Sequence, residues 1–485
     1  MSSVDQPAPS YDELAVLVVA QAAQVAGLRA ALEKAHAEIE ALRAQVATSS
    51  RNSSKPPSSD GLGKPDPKSR RARTGRKPGG QEGHEGSTLR LAADPGRVVT
   101  HEPAVCRGCG DGLVLAAVTS VERRQVVDLP EPVPLVVEHR LVERECACCG
   151  TRTRAAAPRG ADAPVQYGPR VEATVLYLYG GQFLARDRAA AAMAELFGTP
   201  LSAGTVAAML ARAAARLAKE FLPRVRDEIA AAPVAGFDET GLRVAGKLHW
   251  VHCARTEKYT LLVCHLRRGV EGMAYLGVLP GYTGVAVHDC WSPYDTYVQT
   301  DHQLCCAHVA RELTAVADTS PPDGWCWATQ AGEALVDLER LAADARAAGA
   351  TALAPEATAE PLRRLRHAVQ IGISQTQARS TKLMRKHNAL ARRLADREAD
   401  YLRFLNNLAI PPDNNGPERD IRMVKLRQKV SGCLRSLTGA RQFCALRSYL
   451  STTAKHGLAM LDALVQLAEG RPWLPTNTQA PTATA

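Results

Sequence analysis

The chain has 485 residues, 45% apolar but only 5% aromatic, which fits two to four domains with aliphatic, largely helical cores. A formal net charge of +10 favours a polyanionic partner without separating nucleic acid from an anionic membrane surface. No stretch reads as apolar for the roughly 18 residues that a membrane helix needs, and the opening MSSVDQPAPSYDEL lacks the basic-then-apolar pattern of a secretory signal, so an intracellular, cytoplasmic protein is expected.

In such a reducing compartment the 13 cysteines read as core residues and metal ligands, not as a disulfide framework. Residues 11–47 carry heptads: Val18, Val25, Leu32, Ile39 and Val46 recur every seventh position, with Leu14, Gln21, Leu28, Ala35 and Leu42 on the companion seam. Steps of three and four keep one seam on one side of a helix, which predicts a coiled coil leaning towards a parallel dimer. A single amphipathic helix packed on its own protein is the competing reading. Residues 48–90 are rich in Ser, Pro, Gly and basic side chains and offer little to bury, so a disordered linker is expected. Its basic run, Lys68, Arg70, Arg71, Arg73, Arg76 and Lys77, has the charge to neutralise DNA phosphates; a solvated linker of basic bias has the same composition.

Residues 91–160 read as a small zinc-binding β domain. Over 98–147 short runs such as VERRQVVDL and PLVVEHRLVERE alternate apolar and polar residues, which predicts a few strands. Two Cys-x-x-Cys pairs, Cys106/Cys109 and Cys146/Cys149, bracket them, each followed by glycine. Four thiolates in two such knuckles make a closed, structural Zn²⁺ site, with Cys148 as an alternative to Cys149. Residues 161–232 read as helical, with a turn at 197–200 and a second helix capped by Ser202. This is either a helix-turn-helix that enters a major groove or an α-hairpin that only packs.

From Val234 the pattern turns to strands. PVAGFDETGLRV reaches an acid at Asp238; KLHWVHCAR and KYTLLVCHLRR continue a meander; a short helix covers EGMAYLGVL; TGVAVHDCWSPY reaches Asp289; and HQLCCAHVARELTAV runs from strand into helix. That order is the order of an RNase H-like core, in which the first and fourth strands are neighbours. Residues 233–324 form its first part, a helical insertion follows at 325–405, and 406–430 supply its last helix. There Asn414 or Asn415 is placed to cap and Pro417 suits a first turn. Glu418 then sits near a helix N-terminus, where a carboxylate is favoured, with Arg422, Lys425 and Lys429 on one face behind it. Helices at 431–470 and a disordered tail at 471–485 complete the chain. Hard oxygen ligands with open positions suit two Mg²⁺ or Mn²⁺ ions in phosphodiester chemistry. Taken singly, each acid also has an ordinary reading as a turn or helix-start residue.

The ordered motifs SSRNSSKPPSSD, RKPGGQEGHEG, the paired Cys-x-x-Cys, DET, HDCWSPY, CCAHVARE and NNGPERDIR resemble the insertion sequence 66 family of bacterial transposases. The resemblance implies an Asp-Asp-Glu transposase whose catalytic, metal-holding acids are Asp238, Asp289 and Glu418, with Lys425 on DNA and His308 and Arg311 either supporting the site or contacting DNA. It also implies binding of terminal inverted repeats, strand cleavage and strand transfer, and accessory proteins encoded nearby. VSGCLRS after the basic helix departs from the family pattern of a bulky apolar or aromatic residue there. Two other functions share these features: a non-catalytic zinc-containing DNA-binding protein derived from a transposase, and a hydrolytic nuclease of the same fold.

Overall fold

The computed structural model describes residues 10–47, 88–158, 160–320 and 324–475. The basic linker residues Lys68, Arg70, Arg71, Arg73, Arg76 and Lys77 lie outside them. Helix α1 spans Tyr11–Ala47, as the heptads predict, and its one inter-helix neighbour of note is a helix of the insertion. One expectation fails on α1. Over Leu14–His36 it is long and apolar enough, by length and composition, to cross a membrane, with mean hydropathy 1.6. Alanines and valines fill positions round the helix that a surface helix gives to charged residues, so the apolar character is not confined to a seam.

The strands predicted between the two cysteine pairs form only in part. The short hairpin β1 (Glu143–Glu145) and β2 (Arg152–Arg154) flanks the second pair, but 117–142 contains no strand. Val126 and Leu129 there are 94% and 91% exposed. An alternating pattern makes a strand only where a neighbour pairs its backbone and covers one face; here the faces lie open, and the Val142 carbonyl, accepting from the Ala155 N–H at 3.0 Å, only extends the β1–β2 hairpin.

The helical region begins with α2 (Pro169–Leu176) and a π-helical turn at Tyr177–Gly181. Helix α3 (Arg186–Phe197) ends on Gly198 at φ 56°, and α4 (Ala203–Arg216) starts under Ser202, whose hydroxyl accepts from the Thr205 N–H at 3.0 Å. Turn and cap fall where the sequence puts them. Val206, Met209, Leu210, Ala213 and Ala214 bury one face of α4, while its outward face is mostly alanine and Arg212 is paired with Glu172 at 2.7 Å. Such a helix packs well and offers few side chains to base edges. A second π-helical turn, Leu217–Phe221, leads into α5 (Leu222–Ala230).

The central sheet follows the predicted order: β3 (Val234–Val244), β4 (Lys247–Arg255), β5 (Thr260–His265), α6 (Val270–Leu276), β6 (Val285–His288), β7 (Asp301–Leu304) and α7 (Cys306–Ala317). The strands lie β5-β4-β3-β6-β7, with β3 to β5 antiparallel and β6 and β7 parallel to β3. The first and fourth strands are therefore neighbours. Strand β3 does not stop at its acid: it continues to Val244 because β4 pairs with it along its whole second half. The insertion comprises α8 (Trp327–Ala347), α9 (Pro355–Gln375), α10 (Lys382–Asp396) and α11 (Glu398–Asn406), and the chain returns through α12 (Asn415–Ser431), α13 (Leu437–Lys455) and α14 (Met460–Ala468). The tail is ordered further than predicted: the Trp473 N–H donates to the Tyr449 hydroxyl at 3.0 Å and its ring lies 4.6 Å from that of His456.

Two cores result. The helices α2–α5, the β3–β5 half of the sheet and α12–α14 share one; β6 and β7, α7 and the insertion share the other. Both sheet edges are covered, which removes the hazard of open strand edges. On β5, Ser448 and Thr452 of α13 accept from the Leu262 and Thr260 N–H groups at 2.8 and 3.0 Å. On β7, the Gln303 amide bonds the backbone of Tyr401 and Phe404 in α11 at 3.0 Å each.

His252 on β4 is 2% exposed under α6, its Nε2 3.1 Å from the Arg267 carbonyl. Burial pushes it down to about 4, so the folded protein keeps it neutral while the unfolded chain takes a proton below its ordinary range near 6.5. The sign follows: its contribution is complete above pH 6.5 and fades as pH falls towards 4. About 3 kcal/mol is lost over that window. Denaturant unfolding between pH 7 and 4 should show the loss, and His252→Gln should flatten it; an equal slope in the variant would refute the assignment.

Candidate active site

Parallel pairing between β3 and β6 places the two aspartates. Gly236 is in register with Val287, so Asp238 and Asp289, each two residues further on, emerge from neighbouring strands on the same face. Cys290 holds φ 66°; this left-handed turn just beyond β6 swings Trp291 back, and its N–H donates to Asp289 Oδ1 at 3.1 Å.

The third acid arrives on α12. A Cβ on Gly236 would stand 2.6 Å from Pro417, so the bare glycine lets the first turn of α12 rest against β3. Gly416 likewise leaves room for the Arg255 guanidinium. Asn414 is fully buried at the start of α12, but its side chain makes no cap bond, unlike the role the sequence predicts. Its Nδ2 donates instead to the Phe237 carbonyl at 2.8 Å, and its N–H to Cys305 Sγ at 3.1 Å. With the Cys306 N–H on the Pro412 carbonyl at 2.9 Å, these bonds close the core again after the insertion. Glu418 is thereby set on the aspartate face.

The carboxylates act on one another. Burial raises Asp238 well above the usual carboxylate range, and the charges of Glu239, Asp289 and Glu418 raise it further. His308 Nε2 is 3.6 Å from Glu418 Oε1, and its Nδ1 is buried with no hydrogen-bond partner. Burial lowers the His308 pKa, opposed by Glu418. Arg311 lies partly exposed on the same helix, α7. Among the described residues no three His, Cys, Asp or Glu side chains are gathered tightly enough to hold an ion as they stand. The acids thus share a face and a field. The donor set, oxygens only on a face of strong negative charge, fits Mg²⁺ or Mn²⁺.

Several residues here escape the sequence reading. Glu239, on the opposite face of β3, is 7% exposed and pushed up to about 7, by burial first and Asp289 next, against the pull of Arg268. Its carboxylate accepts from Arg268 Nε at 3.0 Å and the Tyr294 hydroxyl at 2.8 Å. Arg268 also stacks on Trp291 at 3.9 Å and Trp250 at 5.0 Å and reaches to 3.9 Å from Asp289. Trp291 and Tyr294 belong to the HDCWSPY motif and Glu239 to DET, whereas Arg268 belongs to no sequence motif.

The basic stripe divides. Arg422 and Lys429 are exposed, but Lys425 is pinned to the sheet, its Nζ donating to the Gly241 carbonyl at 2.8 Å, and burial lowers its pKa. Its ammonium therefore ties α12 to β3. The cysteine pairs form matching turns: the Gly110 N–H returns to the Cys106 carbonyl at 2.9 Å and the Gly150 N–H to Cys146 at 2.8 Å, with both glycines left-handed. Within the pairs, Cys109 lowers the Cys106 thiol, and Thr151 and then Cys146 lower Cys149. Each pair offers soft thiolates of the kind zinc takes, but the two pairs are not drawn into one cluster among the described residues.

Asp238 within β3, Asp289 just beyond β6 and Glu418 on the returning α12 thus stand on one face of a mixed sheet. Residues 164–442, more than half of the chain, match the family model described as Transposase IS66 family, and the chain belongs to that family. Its role is that of a transposase and its implied partner is DNA. Residues 5–90 match a second model, a family of unknown function (DUF6444). No curated protein matches the chain.

Proposed function

We propose that this chain is the Asp-Asp-Glu transposase of a bacterial insertion sequence, with an RNase H-like core that cleaves one strand at each terminal inverted repeat and joins the freed 3′-hydroxyl to target DNA. The observation that carries the reading is the common face of Asp238, Asp289 and Glu418 and the mutual push of their charges. Asp238, Asp289 and Glu418 would hold two Mg²⁺ or Mn²⁺ ions. Such a pair, when bound, supplies activation of the attacking oxygen and stabilisation of the leaving one.

The chain's own groups do the rest. Arg422 and Lys429, exposed behind Glu418, neutralise phosphates of the incoming strand, and the linker Arg70, Arg71, Arg73, Arg76 and Lys77 add a sequence-independent hold. His308 steadies Glu418. Arg268, fixed by Glu239 and two tryptophans, sets the direction of Asp289. Cys106, Cys109, Cys146 and Cys149 hold one structural Zn²⁺, and α1 pairs two protomers so that two ends are held together in the cytoplasm, at the nucleoid.

The test is a labelled end fragment incubated with protein and Mn²⁺. Nicks leaving 3′-hydroxyls, followed by joined products, are expected. Hydrolysis without joining would make the protein a nuclease, and binding without cutting would make it a DNA-binding relative. Metal affinity should also depend on pH. Asp238 holds its proton well above the usual range and must lose it to ligate a cation, so proton and metal compete. Calorimetric Mn²⁺ titration should show tighter binding at higher pH, and Asp238→Asn should remove that dependence; pH-independent affinity in the parent would contradict it.

A further inference from the structure

The insertion's arginines fall into two groups. Most are neutralised: Arg366 by Glu398 at 2.7 Å, Arg393 by Glu312 at 2.6 Å, and Arg397 by Asp295 at 2.7 Å and Asp400 at 2.9 Å. The outward face of α10 and the turn before it are different. Arg379, Lys382, Arg385, Lys386 and Arg392 are exposed, and none is among the ion pairs of the described residues. Two of these cations are also fixed in place. The Oδ1 of Asn388, a residue 1% exposed, accepts from Arg379 Nε at 2.8 Å and from Arg392 Nε at 3.1 Å. Its Nδ2 is in turn held by Thr376 Oγ1 at 3.0 Å.

A neutral amide that draws two guanidinium groups together, with no acid between them, works against their mutual repulsion. Binding Nε leaves the outer nitrogens of each fork free for a planar, bidentate anion. Arg379 also holds φ 49°, a left-handed conformation that non-glycine residues rarely adopt. The repulsion at this exposed point is offset if an anion sits there. The pair is linked to the acids through α7, where the Arg393–Glu312 bond ties α10 to the helix that carries His308.

We propose that the outward face of α10 is a contact for the phosphate backbone of duplex DNA, with Arg379 and Arg392, fixed on Asn388, as its phosphate clamp. This rests on the reading of the chain as a DNA-acting transposase and adds a second site to it, outside α12 and the linker.

The experiment compares the full chain with Arg379→Gly/Arg392→Gln by anisotropy of a labelled duplex across a salt series. Glycine suits the left-handed turn, so the fold is retained, and thermal unfolding checks it. The slope of log K against log salt should become shallower by about 2, one for each phosphate that is no longer neutralised, with about 10- to 100-fold weaker binding near 0.1 M salt on any duplex sequence. Arg379→Lys/Arg392→Lys should keep most of the slope. A parent that binds and a glycine–glutamine variant with unchanged slope and affinity would overturn this site and leave the transposase reading standing. A parent that binds no duplex would overturn both. Equal loss of binding to anionic vesicles that the parent holds as tightly as duplex would overturn DNA as the occupant.

Discussion

Asp238→Asn should lower cleavage at the transposon end by at least about 10³-fold, equivalent to ~4 kcal/mol of transition-state stabilisation, while the end is still bound. The variant should also unfold at the same temperature as the parent or higher. Both halves follow from one fact. Asp238 is buried beside Glu239, Asp289 and Glu418, all of which resist its ionisation. Its charge is a liability to the fold and an asset only opposite a cation, so removing it relieves repulsion and abolishes function together, the trade-off expected of a strained active site. Asp289→Asn and Glu418→Gln should behave alike in activity. Labelled-end cleavage, gel shift and thermal unfolding on the same preparations decide it. Full activity in any of the three would sink the assignment of the acids; a large fall in unfolding temperature for Asp238→Asn would make that residue a structural one.

How legible this site was depends on the kind of signal. The strand order, Asp289 at the end of β6 and the cap at Ser202 rest on local rules, periodicity and capping, and those are written in adjacent residues. Asn414 shows where such rules stop. Locally it is a cap; in the fold its amide goes to the Phe237 carbonyl, a partner far away in sequence that only the returning chain supplies. Lys425 makes a related point, since helical spacing gives its face but not that the sheet passes beneath and accepts from its ammonium. The apolar alternation of 117–142 was real, but pairing is a tertiary fact, and the Val142 carbonyl at its end meets the Ala155 N–H while the apolar faces stay open. Gly236 and Gly416 make the same point from steric room: their lack of a side chain matters only because Pro417 and Arg255 arrive. Arg268 was invisible because an arginine after a strand means nothing until two tryptophans close on it.

Asp420 is the residue on which the position of Glu418 depends most, and Asp420→Ala should lower stability by about 3–5 kcal/mol, the usual cost of stranding a buried counter-charge. Its Oδ2 meets Arg255 Nε at 3.1 Å, Lys455 Nζ at 3.0 Å and the Thr260 hydroxyl at 2.8 Å, with 12% of the side chain exposed. These partners come from β4, β5 and α13, so one carboxylate two residues after Glu418 fastens α12 to the sheet and to the helix beyond it. Without it Arg255 and Lys455 face each other unpaired. Lys455 would keep its bonds to the Thr256 and Tyr259 carbonyls at 3.1 and 3.0 Å, so the lysine stays and repels. Cleavage should fall by roughly 10²-fold, as expected when a catalytic group moves by about 1 Å, with metal affinity reduced because Glu418 no longer meets Asp238 and Asp289 squarely. A merely structural role predicts lost stability alone, so Mn²⁺ affinity is the discriminating measurement. The double variant Asp420→Ala/Lys455→Met removes the stranded ammonium and should regain part of the stability, a coupling beyond additivity in a mutant cycle. Regained stability without regained metal affinity is the expected pattern, because the methionine relieves the repulsion but does not re-anchor α12; a single variant within about 1 kcal/mol of the parent and fully active would show that Glu418 is held by other means.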